Sequence, residues 1–184
     1  MLKVFHVVQD DAKFFVPVSD TLDSDSRYEN LYFCILERGK QELSSIPNDG
    51  RVALLHSRNE VKKALSSTDY DVIFFHSLPV GYYRYFKFIP DDRIVIWWGW
   101  GYDLYLRNRG MRPLIPVNLY KRETAEYIRK RDWSFKYFIK WLLKEIAIKH
   151  YYYSLRNKVL ERIDYFMPVI SLEYDLMKRY NRHF

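Results

Sequence analysis

Six short runs of apolar residues, separated by polar stretches, recur along the chain and predict six β-strands. β-Branched and aromatic residues dominate these runs, as is typical of buried strands. The predicted strands cover residues 2–8, 31–36, 52–56, 72–76, 93–98 and 164–170. Because strands that are apolar on both faces are typical of parallel sheets, the pattern favours an α/β, Rossmann-like fold. We expect a mostly parallel sheet of about six strands with helices on both faces.

The stretches between the strands predict mostly short helices. Residues 9–30 are rich in Asp and Ser, which predicts a loop around at most a short helix. Asn59 is suited to cap a helix that ends at Leu65, and the aromatic run at residues 82–88 predicts another short helix. Ser171 is suited to cap a last helix that ends at Tyr180.

The segment between the fifth and sixth predicted strands is the most unusual part of the chain. Residues 117–167 contain no Gly or Pro, which allows one long amphipathic helix or two helices joined near Arg131 and Asp132. One face is apolar, and the opposite face carries basic and aromatic side chains, among them Trp133, Lys136, Tyr137, Lys140, Trp141 and Lys144. Such a face predicts a helix that lies in a membrane interface. A solvated face on which lysine stems cover the aromatic rings explains the same pattern equally well.

The distribution of charge points to the same segment. The 184 residues include 30 Lys and Arg against 23 Asp and Glu, a net charge of +7. Residues 121–162 hold twelve basic and five acidic residues, and 12 − 5 = 7, so this segment carries the whole excess. A local cluster of this kind indicates a local anionic partner.

Composition and motifs exclude several classes of protein. An apolar content of 48% excludes a disordered chain. The longest stretch without Asp, Glu, Lys or Arg is Val72 to Tyr83, twelve residues, whereas a spanning helix needs about twenty. Cys34 is the only cysteine, which excludes a disulfide within the chain and favours a reducing cytosol. The motifs GxGxxG, GxxxxGK[ST], HExxH, CxxC and GxSxG are missing, so neither a cofactor nor a metal ion is predicted.

Three of the predicted strands end in sequences that carry candidate chemistry. The first contains His6 and is followed by Asp10 and Asp11, and the fourth ends at His76. The fifth continues into Trp98-Gly99-Trp100-Gly101-Tyr102-Asp103. In a doubly wound sheet, ligands bind outside the carboxyl ends of the strands. If these three strands are neighbours, their polar groups meet in one crevice.

Each of these groups also has a purely structural explanation. The glycine-containing turn is also consistent with simple packing of the sheet end, and a histidine at the end of an apolar strand is often a hydrogen-bonded core residue. Asp10 and Asp11 are suited to cap a following helix.

Taken in order, these segments resemble the TDP-N-acetylfucosamine:lipid II N-acetylfucosaminyltransferases (4-acetamido-4,6-dideoxygalactose transferases) of bacterial surface-polysaccharide synthesis. The resemblance spans most of the chain. It rests on His6-Val7 with Asp11, on Phe74-Phe75-His76, and on a Trp-Gly pair before Asp103-Leu104-Tyr105. The pair occurs twice here, so either Trp98-Gly99 or Trp100-Gly101 is the counterpart of the family's single pair.

The resemblance implies a glycosyltransferase of the B-type fold. Residues 1–184 would form a single N-terminal, acceptor-side domain, and a nucleotide-sugar domain would follow beyond Phe184. The enzyme would transfer a hexose, such as an acetamido-dideoxy sugar, from a nucleotide-sugar donor to a polyprenyl-linked sugar acceptor. It would be cytoplasmic and peripheral to the inner membrane, at whose inner face the acceptor lies.

The chemistry of glycosyl transfer assigns roles to the candidate residues. A carboxylate or an imidazole must take the proton of the attacking hydroxyl, and the candidates are Asp103, His76 and Asp11, in that order. The other predicted substrate contacts are His6, Trp98, Gly99, Trp100, Gly101, Tyr102 and Tyr105, with the aromatic rings as stacking walls. The alternative is a binding module in which the basic aromatic helix face holds single-stranded nucleic acid or another anionic surface. With the resemblance in view, nucleic acid is the less expected partner.

Overall fold

The chain folds around a six-stranded, fully parallel β-sheet with the strand order β3-β2-β1-β4-β5-β6. The computed structural model describes residues 1–36, 39–100, 103–104, 151, 153–179 and 181. The strands are β1 (Leu2–Val8), β2 (Tyr28–Ile35), β3 (Val52–Leu55), β4 (Val72–Phe75), β5 (Ile94–Gly99) and β6 (Tyr165–Pro168). The predicted α/β, Rossmann-like fold is therefore confirmed, and the predicted strands agree with the observed ones to within three residues at each end.

Helices cover both faces of the sheet, as predicted. They are α1 (Ala12–Asp23), α2 (Arg58–Leu65), a 3-10 helix (Val80–Phe88), α3 (residues 153–162) and α4 (Ser171–Met177). Alternate residues of β1 point to opposite faces, so Phe5 and Val7 pack in one core and Val8 in the other. The larger core lies under α2, α3, α4 and the 3-10 helix, and the smaller one lies under Phe15 of α1.

Helix α1 spans twelve residues, whereas the sequence predicts a loop around at most a short helix in residues 9–30. Asp11 caps the helix, because its side chain accepts a hydrogen bond from the backbone N–H of Lys13. Phe15 and Ser19, four residues apart, are the buried positions of the helix. Pro17 lies inside the helix, where proline is disfavoured because it lacks a backbone N–H, so the sequence predicts a shorter helix than the structure has.

The ends of two other helices also differ from the predictions. The N-cap of α2 is Ser57 rather than Asn59: its hydroxyl accepts from the backbone N–H of Glu60 at 3.2 Å, and the Glu60 carboxylate accepts from the N–H of His56 at 2.9 Å. Ser171 is the first residue of α4 rather than its cap, which is Ile170, and this helix ends at Met177.

The aromatic helix is a 3-10 helix of nine residues, longer than the predicted segment 82–88. Residues three apart share one side of such a helix. The positions occupied by Gly81, Arg84 and Lys87 lie on the outer side, while the other two rows hold the buried residues Val80, Tyr82, Tyr83, Tyr85 and Phe86. The three-residue period thus separates polar from apolar side chains.

Gly99, at the end of β5, allows the edge strand β6 to approach closely. A Cβ atom at this position would overlap the ring of Phe166, which also packs on Trp97 with ring centroids 4.9 Å apart. The glycine therefore has a packing role that is independent of any ligand.

We expect Gly99→Ala to lower the free energy of unfolding by about 1–3 kcal/mol, as overpacking of a core does. Urea unfolding measures this change. Phe166→Leu removes the overlapping ring, so the double variant should be less destabilised than the sum of the two single variants. An alanine variant as stable as the parent chain would show that the ring has room to move.

Candidate active site at the carboxyl edge of the sheet

A cavity of about 250 Å³ opens at the carboxyl ends of β1, β4 and β5. The residues that line it are Val8, Gln9, Asp11, Phe14, Phe15, His76, Ser77, Trp98 and Trp100. The strand order reverses between β1 and β4, and such a switch point is where α/β sheets bind their ligands. Four of the sequence-predicted site residues line this cavity: Asp11, His76, Trp98 and Trp100.

Parallel register explains why these side chains meet. Val7 pairs with Phe75, and Phe75 pairs with Trp97, so the three strands end side by side. The backbone N–H of His76 still donates to the carbonyl of Val7 at 3.0 Å, which continues the ladder to the cavity. The predicted adjacency of the first, fourth and fifth strands is therefore present, and the chemical roles of the residues stay predictions.

His6 lies behind the cavity and connects His76 to a chain of polar groups. Nδ1 of His6 is 2.9 Å from Nε2 of His76, and Nε2 of His6 is 3.0 Å from Oδ1 of Asn30. The Asn30 amide nitrogen donates to Oδ1 of Asp23 at 3.0 Å, and the Tyr32 hydroxyl donates to the same oxygen at 2.9 Å. The prediction of a hydrogen-bonded core histidine thus describes His6, which is 1% exposed.

Burial keeps both imidazoles neutral. It lowers the pKa of His6 to about 4, because desolvation outweighs the opposing effects of Asn30 and the Asp23 charge. Burial, and then the neighbouring His6, also lower the pKa of His76. At neutral pH each ring therefore has one N–H and one acceptor nitrogen.

The two adjacent aspartates at the end of β1 have different partners. Asp11 caps α1 and lines the cavity. Asp10 instead accepts four hydrogen bonds, from the Ser44 hydroxyl and from the backbone N–H groups of Ser44, Ser45 and Ile46. Burial opposes the ionisation of Asp10, but these bonds outweigh it and lower its pKa to about 2.

Asp103 lies next to the cavity but is not part of its lining. Its Oδ2 atom accepts from the backbone N–H of Leu78 at 3.0 Å and from the Trp97 indole at 3.3 Å, and lies 3.5 Å from the N–H of Trp100. These contacts join the end of β4 to the turn after β5. They favour a structural role for Asp103 at this edge of the sheet. Asp103 is the first candidate for the base in the sequence analysis, and that role stays a prediction.

Aromatic rings form one wall of the cavity. The ring of Trp100 packs against Trp98 and Phe14, with centroids 4.7 and 4.4 Å apart, and Trp98 also faces His76 at 6.0 Å. Among the described residues that line the cavity there is no lysine or arginine.

Ser77 is a site residue that the sequence analysis did not select. Its side chain is 2% exposed, it lines the cavity, and its hydroxyl makes no hydrogen bond within the described part of the chain. A buried polar atom without a partner is uncommon and indicates a place for a ligand or a water molecule. Gln9 and Phe14 were not selected either, although Gln9 and Ser77 directly follow predicted strand ends, the signal that pointed to Asp11 and Trp98.

The other predicted site residues lie outside the described residues. These are Gly101, Tyr102 and Tyr105 after β5, and Trp133, Lys136, Tyr137, Lys140, Trp141 and Lys144 on the basic aromatic face. In the part of the chain that the structure describes, no helix combines the length and the apolar character needed to cross a bilayer. Within the same residues, no group of His, Cys, Asp or Glu side chains is arranged to hold a metal ion.

Comparisons with known proteins find no match to this chain among protein-family models, curated proteins or solved structures. The fold class is therefore inferred from the sheet topology, and a function has to be argued from the chemistry of the cavity.

The two imidazoles should make the stability of the protein depend on pH. Their folded pKa values lie below the ordinary value of about 6.5, so between pH 6.5 and 4 the unfolded chain binds more protons than the folded one. We expect the free energy of unfolding to fall on acidification across this window, by about 1.4 kcal/mol per pH unit for each such imidazole. Asp10 titrates below this window, so it contributes little to the slope.

Urea unfolding at a series of pH values measures this slope. His76→Gln should reduce it, whereas the control His56→Gln, at an exposed histidine, should leave it in place. An unchanged slope in the His76 variant would contradict a neutral, buried pair.

Proposed function

We propose that this chain is the acceptor-side domain of a glycosyltransferase, which transfers a hexose from a nucleotide sugar to a lipid-linked sugar. One observation carries the proposal: the cavity combines an aromatic wall with the Asp11 carboxylate, the His76 imidazole and the Ser77 hydroxyl, which has no partner among the described residues. Sugars stack their C–H faces on aromatic rings and donate hydroxyl hydrogens to carboxylates and imidazoles. The motif resemblance supports the same class of enzyme and supplies the lipid-linked acceptor.

The charges of the cavity favour the acceptor over the donor. A nucleotide sugar carries a diphosphate, which proteins hold with cations, glycine-rich loops or free helix N-termini. At the N-terminus of α1, the Asp11 carboxylate already accepts from the N–H of Lys13 and would repel a phosphate. A neutral sugar meets no such repulsion. At about 250 Å³ the cavity is also smaller than pockets for drug-sized ligands, which suits a single sugar ring.

The proposed reaction uses these contacts. A hydroxyl of the acceptor sugar attacks the anomeric carbon of the donor, and a new oxygen–carbon bond forms while the bond to the diphosphate breaks. The diphosphate leaves with the bonding electron pair, and the hydroxyl proton passes to a base. Asp11 is the better base in this geometry, since it lines the cavity whereas Asp103 does not, and the buried His76 resists protonation.

Binding of a sugar can be tested with the chain alone. Titration with octyl glycosides of hexoses and of N-acetylhexosamines should change the tryptophan fluorescence in a saturable way. Trp100→Ala should weaken binding about tenfold or more, because it removes the stacking surface, while Trp100→Phe should retain most of it. Asp69→Asn, at an exposed position before β4, is a control and should bind as the parent chain does. Saturable binding of a free nucleotide sugar at the same residues, in place of the glycosides, would contradict the proposal.

Kinetics of the complete protein distinguish the two aspartates. With a nucleotide sugar and a polyprenyl-linked sugar as substrates, Asp11→Asn should lower kcat about 10²–10⁴-fold with little change in KM or in thermal stability. Asp103→Asn should instead lower the thermal stability and raise KM, because it loosens the contacts to Leu78, Trp97 and Trp100. A loss of kcat confined to the Asp103 variant would restore Asp103 as the base.

A further inference from the structure

We infer that Asp23 and Asn30 are positioning residues, which set the hydrogen positions of His6 and His76 so that His76 presents an unprotonated Nδ1 atom to the cavity. The chain of contacts Asp23–Asn30–His6–His76 carries this inference. Neither Asp23 nor Asn30 lines the cavity, so both act through the two histidines.

The direction of each hydrogen bond follows from the one before it. The Asp23 carboxylate can only accept, so the Asn30 amide nitrogen must face it, as observed at 3.0 Å. The Asn30 carbonyl oxygen then faces His6 and must accept from Nε2 at 3.0 Å. A neutral His6 with its hydrogen on Nε2 has a lone pair on Nδ1, which accepts from Nε2 of His76 at 2.9 Å.

The protonation of Nδ1 of His76, the last ring nitrogen in this series, is then determined. A neutral His76 that donates through Nε2 has no hydrogen on Nδ1. Within the described residues Nδ1 of His76 has no hydrogen-bond partner, and the ring lines the cavity. The group that binds there must therefore donate a hydrogen bond.

This arrangement selects the chemistry of the ligand. A sugar hydroxyl donates to Nδ1 of His76 and can in turn accept from the Ser77 hydroxyl, which lines the same cavity and lacks a partner among the described residues. A phosphate or carboxylate would face a lone pair on Nδ1 and be repelled. The choice of a neutral hydroxyl at this point rests on the proposed function, whereas the hydrogen positions follow from the contacts alone.

Because Asp23 is exposed, it can be substituted so that the direction of every hydrogen bond from Asn30 to His76 is reversed. In Asp23→Lys the new side chain donates, so the Asn30 amide should turn its oxygen towards position 23 and its nitrogen towards His6. Each later bond then reverses, and His76 carries its hydrogen on Nδ1. Asp23→Asn keeps an acceptor oxygen and should preserve the native pattern. Asp69→Lys makes the same change of charge at an exposed position that is not part of this chain of contacts, and it is the matched control.

Two-bond ¹H–¹⁵N correlation spectra of the ¹⁵N-labelled chain at pH 7 report the tautomer of each histidine, and His6→Gln and His76→Gln assign the two signals. We expect Nε2–H tautomers for both rings in the parent chain, in Asp23→Asn and in Asp69→Lys, and Nδ1–H tautomers in Asp23→Lys. A Nδ1–H tautomer of His76 in the parent chain, or unchanged tautomers in Asp23→Lys, would overturn the inference.

Binding of the octyl glycosides to the same variants separates this inference from the proposed function. If His76 presents a lone pair to a hydroxyl, Asp23→Lys should bind at least about fivefold more weakly than Asp69→Lys. The expected tautomers without any binding of glycosides would contradict the sugar site alone. Tight binding of glycosides by both variants would contradict the role of His76 as the acceptor.

Discussion

The hydrogen-bonding demand of His6 is the constraint on which the site depends. This side chain lies in the middle strand of an apolar sheet with 1% of its surface exposed, and a buried imidazole is costly unless both nitrogens are paired. The pairing involves Asn30 of β2 on one side and His76, the residue directly after β4, on the other. Three neighbouring strands are thereby joined by side chains as well as by their backbone ladders, and the outermost imidazole lies at the cavity.

The fold and the proposed function rest on separate observations. A parallel sheet with a switch point between β1 and β4 is compatible with many activities, so the topology by itself selects none. The proposed activity is instead argued from the side chains at the carboxyl edge of the sheet, which combine hydrogen-bond acceptors with flat apolar rings. This combination suits a neutral, hydroxyl-rich ligand, and it agrees with the enzyme class that the sequence motifs resemble.

The sequence predicted the sheet well because each strand contains a short, mostly apolar run, a signal that does not depend on the rest of the fold. It predicted the meeting of Asp11, His76 and Trp98 for a related reason, since the ends of parallel strands share one edge. The length of helix α1 was underestimated because Pro17 lies inside it, and proline normally ends or kinks a helix. Leu78 and Trp100 contact Asp103 through backbone N–H groups, which leave no mark on the pattern of residue types. The same holds for the link from His6 to Asp23, since it depends on the register of β1 with β2 and on where helix α1 ends, neither of which the pattern predicts.

The anchoring of Asp10 has a consequence for the energetics of ligand binding. Its four hydrogen bonds fasten residues 44–46 to the turn that also carries Asp11. A turn held in this way loses little conformational freedom when the cavity fills, so the interactions made by Asp11 are not offset by an entropic cost of ordering the backbone. Asp10, which does not line the cavity, thus pre-organises Asp11, which does.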